Sequence, residues 1–249
     1  MRYCSLLVLI AMLPLFSACK SSPEDQKRAS TLHKISSDSW AEREKGVFEL
    51  HGMKIASEEK HLLLNTLRKE SQVVESSTVR PSDNEYNDYV IALSNLVATN
   101  KISAGLPLLF DLIRSGKIDL SPAVLLYYGE PAFDFLNEKA KSGLIAEREI
   151  ALAALAIWVE PQSDSYAEDY DPTIIKPLSD SQKGEVMHLM LDASNSDDYN
   201  IRSMSLEGLG SFLSDDRARE RLEAIAEKDN KIFIRNRARE ILRQAETKK

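Results

Sequence analysis

The sequence predicts an all-α fold, specifically an α-solenoid of about five helix-turn-helix repeats and a terminal half-repeat. Leu, Ala, Glu, Lys and Arg dominate the chain, while Gly and Pro contribute only nine residues each among 249. A short frame of residues recurs at helical spacing, and each copy is followed by a turn and a second helix with an apolar face. A helix-turn-helix unit that recurs every ~33 to ~55 residues is typical of a solenoid.

The first 18 residues predict a secretory signal peptide. Arg2 supplies a positive charge, residues 6–16 form an unbroken apolar run, and Ser17-Ala18 leads to Cys19. The apolar run is too short to cross a hydrocarbon core of about 30 Å. A charged start, an apolar core and a small-residue exit are the parts of a cleavable signal.

This segment resembles the lipobox of bacterial lipoproteins, although Phe16 stands where that motif usually has an aliphatic residue. The resemblance implies that Cys19 becomes the N-terminus and carries a diacylglycerol and an acyl chain such as palmitate. Lys20 follows the cysteine where an Asp would imply retention in the inner membrane, so the outer membrane is favoured. Plain secretion and an uncleaved anchor remain the alternatives.

The polar segment that follows Cys19 has no apolar periodicity. We therefore predict a flexible tether over residues 19–37 and a folded solenoid over residues 38–247. Within the solenoid, residues spaced by three and four form the frame Arg-x-x-small-x-x-x-Leu, which places all three on one helical face. The five copies are Arg43/Gly46/Leu50, Tyr89/Ala92/Leu96, Arg148/Ala151/Leu155, Arg202/Ser205/Leu209 and Arg235/Ala238/Leu242.

Two segments resemble HEAT repeats, in particular those of bilin-lyase-type proteins. Residues 229–238 match the Asp-containing start of a first HEAT helix, with Phe233 as an insertion, and residues 129–136 match the start of a second helix. The resemblance implies an Asp–Arg ladder in which Arg202 and Arg235 pair with Asp197, Asp198 or Asp229. The third repeat, residues 117–143, lacks the arginine frame.

The composition and the motifs argue against several classes of function. A net charge of −7 argues against a nucleic-acid binder, because such proteins need a basic surface. The four histidines have no metal-ligand spacing, and no nucleophile elbow, Walker loop or dinucleotide fingerprint occurs. We therefore predict no catalytic residues, no metal and no cofactor beyond the lipid on Cys19. With Cys4 removed in the signal, the mature chain has no free thiol.

Two departures from the repeat are candidate binding sites. An acidic loop is predicted as an insertion over residues 160–180, and its candidate partner-binding residues are Glu160, Asp164, Tyr166, Glu168, Asp169, Tyr170 and Asp171. The loop has no Lys or Arg before Lys176, which suits a basic partner; loose Ca²⁺ binding or simple solvation are the alternatives. The second departure is a basic cap of Arg235, Arg239 and Arg243, joined by Arg217 and Arg221. A polar capping helix is the alternative to a phosphate-binding surface.

Together these features predict a membrane-anchored, non-catalytic scaffold or adaptor that binds another protein of the cell envelope. Its contact with the membrane would run through the lipid alone. The alternatives are a periplasm-facing carrier of a small molecule or metal, and a HEAT-containing enzyme similar to a bilin lyase.

Overall fold

The structure is a computed structural model, and it describes residues 22–51, 53–76, 84–159 and 174–247. Eleven α-helices and one 3₁₀ helix make up this part of the chain, which contains no strand, so the prediction of an all-α fold is confirmed there. The helices are α1 (Pro23–Ile35), α2 (Trp40–His51), α3 (Ser57–Ser76), α4 (Asn84–Thr99), α5 (Gly105–Ser115), η1 (Pro122–Tyr128), α6 (Glu130–Ser142), α7 (Ile145–Val159), α8 (Asp180–Ala193), α9 (Tyr199–Gly210), α10 (Asp216–Lys228) and α11 (Ile232–Thr247).

The tether predicted over residues 19–37 is wrong for most of its length, because α1 lies there and packs against α2. Ser22 and Asp25 form a capping box, and Pro23 occupies the first turn, so the helix start is well determined. Thr31 and Ile35 are buried. Such a small buried surface leaves no apolar periodicity for a sequence pattern to detect.

Polar contacts hold α1 in place instead. The Arg28 guanidinium pairs with Glu59 of α3 and donates to the main-chain carbonyl of Lys54, and Lys34 pairs with Glu49 of α2. A Cβ atom on Gly46 would lie 2.9 Å from the main-chain nitrogen of Ile35, so the glycine allows α1 and α2 to approach closely. With these contacts, α1 lies antiparallel to α2, and Ser22 lies beyond the C-terminal end of α2.

The helices pack in a regular order along the chain. One row of contacts joins α2 to α4, α4 to η1, η1 to α7, α7 to α9, and α9 to α11. A second set joins α3 to α5, α6 to α8, and α8 to α10. The buried apolar side chains form one cluster that extends from Ile35 to Ile241. The frame residues therefore lie on helices of the first row.

The 3₁₀ helix η1 occupies the place where the third copy of the frame is missing. Its residues from Ala123 to Tyr128 are all buried, and the Tyr128 hydroxyl donates to the carbonyl of Ile102 at 3.1 Å. Gly129 ends η1 with a φ of 68°, which favours glycine, and Pro131 follows within the first turn of α6. The sequence Gly129-Glu130-Pro131 thus marks the junction between η1 and α6.

Helix α7 connects the two halves of the first row. The sequence predicts a helix that is apolar almost all round over residues 145–158, and α7 covers this range with Ala154 and Leu155 fully buried. The indole nitrogen of Trp158 donates to the carbonyl of Lys176 at 2.9 Å, which holds the connection to α8 against the end of α7.

Candidate functional site

Two of the predicted sites lie outside the described residues. These are the lipidation site Cys19 and the seven acidic and tyrosine residues of the loop, Glu160, Asp164, Tyr166, Glu168, Asp169, Tyr170 and Asp171. The described end of the predicted loop, from residue 174 to residue 179, contains the buried residues Ile175 and Leu178. That end of the segment is therefore part of the packed body.

The third predicted site, the basic cap, lies on α11. Arg239 and Arg243 are exposed, and Arg239 donates to the side-chain oxygen of Asn236 at 3.2 Å. Arg235 is half-buried, and its guanidinium donates to the main-chain carbonyl of Asp229. The arginine at the start of the stripe thus bonds the preceding turn, and the two that follow face solvent.

The two arginines expected to join the stripe bond elsewhere. Arg217 pairs with the carboxylate of Asp215 at 2.9 Å. Arg221 donates to the hydroxyl and the carbonyl of Ser194, which follows α8, at 2.7 and 2.6 Å. Burial lowers the pKa of the Arg221 guanidinium. Both side chains serve contacts of α10, and the structure gives neither a bond to α11.

The frame arginines share one structural role. Arg43, Arg202 and Arg235 each donate to the main-chain carbonyl six residues earlier, on Ser37, Ser196 and Asp229 respectively. Arg148 reaches back in the same sense to the carbonyl of Ala140 at 3.2 Å. Each arginine therefore ties the start of its helix to the connection that precedes it, and satisfies a carbonyl near the end of the previous helix.

Arg202 also forms a buried ion pair with Asp229, one of the three partners that the HEAT resemblance implies. Its Nε and Nη2 atoms lie 2.8 and 3.3 Å from the two carboxylate oxygens, and it donates to Asn230 and to the carbonyl of Asp197 as well. Burial alone raises the pKa of Asp229, but hydrogen bonds from Arg202 and from the Lys231 N–H outweigh it, so the net pKa is lowered.

A second buried pair joins Arg43 of α2 to Glu70 of α3, with an N–O distance of 3.2 Å. The Tyr86 hydroxyl donates to the other carboxylate oxygen at 3.1 Å, and the guanidinium lies 4.3 Å from the ring centroid of Trp40. Burial raises the pKa of Glu70, and the hydrogen bond from Tyr86 and the charge of Arg43 only partly offset that rise. The geometry of this pair is typical of a cluster that stabilises the packing of neighbouring helices.

One surface feature was missed by the sequence analysis. Large apolar side chains are exposed at the starts of three neighbouring first-row helices, where Ile145, Tyr199 and Ile232 are the first residues of α7, α9 and α11. With Leu144 and Phe233 they are between 45 and 73% exposed. The rings of Tyr199 and Phe233 meet edge to face at 5.5 Å. We call these five residues the apolar edge.

The signal for the apolar edge is present in the sequence. An apolar residue stands three positions before the first residue of each copy of the frame, and in the two N-terminal copies it is Trp40 and Tyr86. In those copies the side chains pack together, with ring centroids 4.8 Å apart. The sequence pattern predicts a buried residue at this position in all five copies. Only the packing shows that Trp40 and Tyr86 are covered and that Ile145, Tyr199 and Ile232 are exposed.

Metal sites and membrane-spanning helices are absent from the described residues. No three His, Cys, Asp or Glu side chains come together there in a way that could hold a metal ion. None of the helices in that part of the chain is both long and apolar enough to cross a membrane.

Comparison with known proteins does not assign the chain to a family. No protein-family model matches the chain, and no curated protein sequence matches it either.

Proposed function

We propose that this protein is a lipid-anchored α-solenoid of HEAT-like repeats that acts as a non-catalytic scaffold for another protein of the cell envelope. The observation that carries the proposal is the apolar edge, because exposed apolar side chains that lie together on a soluble surface are typical of protein interaction sites. A rigid helical array would present this surface, and the lipid would confine it to the membrane plane.

Two features support the solenoid. The first row of helices contacts in chain order, and the second set does so from α3 to α5 and from α6 through α8 to α10. The frame arginines make the same backward hydrogen bond in different repeats. In this arrangement η1 and α6 form the third repeat, and α1 covers the N-terminal end. With α11 as the terminal half-repeat, the remaining helices would form the five predicted helical pairs.

The lipid anchor is supported by the lipobox-like segment and is tested separately. Metabolic labelling with an alkyne analogue of palmitate should label the native chain and leave a Cys19→Ala variant unlabelled. Membrane fractionation should recover the native chain with the outer membrane. Equal labelling of the two chains, or recovery of the native chain in the soluble fraction, would refute the anchor.

The partner is tested by lysine crosslinking of the lipoprotein in intact cells, followed by membrane purification and mass spectrometry. The expected result is one reproducible envelope protein, attached through the same lysines in repeated experiments. Recovery of the chain without a crosslinked partner, at full abundance in the membrane, would refute the scaffold. A rise in melting temperature with a small molecule or metal ion would then favour the carrier.

A further inference from the structure

We propose that the apolar edge binds an amphipathic helix of the partner protein whose polar flanks are acidic. This inference rests on the proposed function, because it names the surface and the kind of partner through which a scaffold would act. Three properties of the described residues lead to it: the spacing of the apolar side chains, the charges beside them, and the position of Ser22.

The first property is spacing. The apolar edge consists of three clusters, Leu144 with Ile145, then Tyr199, then Ile232 with Phe233, one at the start of each packed helix. Packed helices lie about 8–10 Å apart. Two turns of an α-helix rise about 10.5 Å over seven residues. A helix laid across the starts of α7, α9 and α11 can therefore place one apolar side chain on each cluster, at positions i, i+7 and i+14.

The second property is charge. Most acidic groups beside the apolar edge are already engaged: Glu147 pairs with Lys139, Asp198 caps α9, and Asp229 pairs with Arg202. The exceptions are Asp197, an exposed carboxylate, and Glu149, a half-buried carboxylate in the second turn of α7.

The positive groups at this edge are less compensated. Among the described residues, Arg148 and Arg235 hydrogen-bond main-chain carbonyls, and the charge of Arg235 also acts on the Asp229 carboxylate. The Lys231 ammonium lies 5.9 Å from the ring centroid of Tyr199, without a carboxylate partner in that part of the chain. The positive ends of the helix dipoles lie at the same starts. Although the chain carries a net charge of −7, this edge suits acidic side chains on the partner.

The third property is the position of Ser22, which argues for a protein partner rather than the bilayer. Ser22 lies beyond the C-terminal end of α2 and only three residues after Cys19, a span of at most about 10 Å. The apolar edge lies where first-row helices begin. A lipid on Cys19 would thus hold the opposite edge of the molecule against the membrane and leave the apolar edge accessible.

The size of the apolar edge also favours a helix over a second copy of the chain. Stable dimers bury roughly 800 Å² on each partner. Five half-exposed side chains offer on the order of 500 Å², given that a large apolar or aromatic side chain buries up to about 150–250 Å². That area suits one helix with three anchors, a recurring mode of peptide recognition.

The test uses the full lipidated chain in nanodiscs of neutral phosphatidylcholine, with one cysteine added for an environment-sensitive dye. Because the mature chain has no other free thiol, Ala146→Cys labels the second residue of α7 selectively. Ala41→Cys, at the second residue of α2, is the matched control. The probe is a designed helical peptide with Leu at seven-residue intervals and Glu on its flanks.

The peptide should shift the dye emission to the blue at position 146 and leave it unchanged at position 41. Phe233→Ser should weaken binding at least tenfold, whereas Phe48→Ser, which removes a more exposed Phe on α2, should leave it unchanged. A peptide with Lys in place of Glu should bind at least tenfold more weakly.

Four outcomes would overturn the inference: no shift with the acidic peptide, equal binding of the Lys peptide, a shift at position 146 caused by phosphatidylglycerol vesicles alone, or a dimer in sedimentation that Phe233→Ser dissociates. These results are separable from the scaffold itself. A partner that crosslinks in cells through a different surface would keep the proposed function and refute this site.

Discussion

Two buried arginine–carboxylate pairs in the described part of the chain have the same separation of 27 residues, and they differ in electrostatics. In the N-terminal region Arg43 contacts Glu70, which lies within α3 among aromatic rings. In the C-terminal region Arg202 contacts both oxygens of Asp229, which lies just after α10. Burial raises the pKa of Glu70, while for Asp229 hydrogen bonds overcome burial and lower the pKa.

The difference follows from where each helix ends. Because α10 ends at Lys228, Asp229 lies in a connection where the Lys231 N–H is not used within a helix, and its carboxylate accepts that N–H at 2.8 Å. Because α3 continues to Ser76, Glu70 has helical neighbours whose N–H groups are used within the helix. Equal spacing therefore does not imply equal energetics, since the number of donors decides whether a buried carboxylate prefers its charge.

The largest expected effect concerns α7, which joins the two regions. Ala154→Asp should destabilise the protein by about 3–5 kcal/mol, because it buries a charge with no partner. Ala153→Asp, one residue earlier on a half-exposed face, is the control and should cost less than about 1 kcal/mol. Urea unfolding of both variants measures the difference, and equal midpoints would show that the packing of α7 described above is wrong.

The two pairs can be compared directly by removing each arginine. Arg202→Ala should cost about 3–4 kcal/mol, because it leaves Asp229 buried and uncompensated. Arg43→Ala should cost about 1–2 kcal/mol, since Glu70 keeps its hydrogen bond from Tyr86 and its raised pKa eases protonation. Thermal unfolding, with exposed Arg239→Ala as the neutral control, checks the order. If Arg43→Ala cost more stability than Arg202→Ala, the proposed difference between the two pairs would be wrong.

The attachment of α1 to the N-terminal region can be tested at Gly46. Gly46→Ala should displace α1 and cost about 1–3 kcal/mol, because the new Cβ would meet the main chain of Ile35. Hydrogen exchange should then speed up in α1 while α9 to α11 stay protected. Gly184→Ala in α8, where nothing lies within 4 Å, should instead gain about 0.5–1 kcal/mol. Unchanged exchange in α1 would contradict the close approach.

The smallest effect is the pH dependence, and its sign differs between the pairs. For Glu70 the folded pKa lies above the usual 4.5, so its contribution to stability is full below pH 4.5 and is lost as pH rises through the folded pKa. For Asp229 the folded pKa lies below the usual 3.8, so its contribution is present above pH 3.8 and is lost as pH falls through the folded pKa.

Each loss should be absent from the matching amide variant. Relative to the native chain, Glu70→Gln should gain stability as pH rises above 4.5, and Asp229→Asn should gain stability as pH falls below 3.8. Urea midpoints measured between pH 3 and pH 7 supply both differences. Parallel curves for the two variants would show that the carboxylates share one environment.

The sequence predicted the helices that carry the frame but missed α1 at the N-terminal end. The frame, the break at Gly129 and the cap of α10 near Asp215 all have local causes: helical spacing, a positive φ and side-chain hydrogen bonds. Helix α1 has no comparable apolar pattern. Ion pairs with Glu59 of α3 and Glu49 of α2 hold it in place instead. Arg217 bonds Asp215 at the start of its own helix, and Arg221 bonds Ser194 after α8, so neither arginine joins α11.

The sequence by itself determined that the described chain is helical and which frame residues share one helical face, because propensity and periodicity act over a few residues. Only the tertiary structure decided which apolar residues are covered. Trp40 and Tyr86 cover each other, whereas Ile145, Tyr199 and Ile232, at the same place in the frame, remain exposed. The reason is physical: burial depends on what packs against a side chain, and residues far apart in the chain supply that contact.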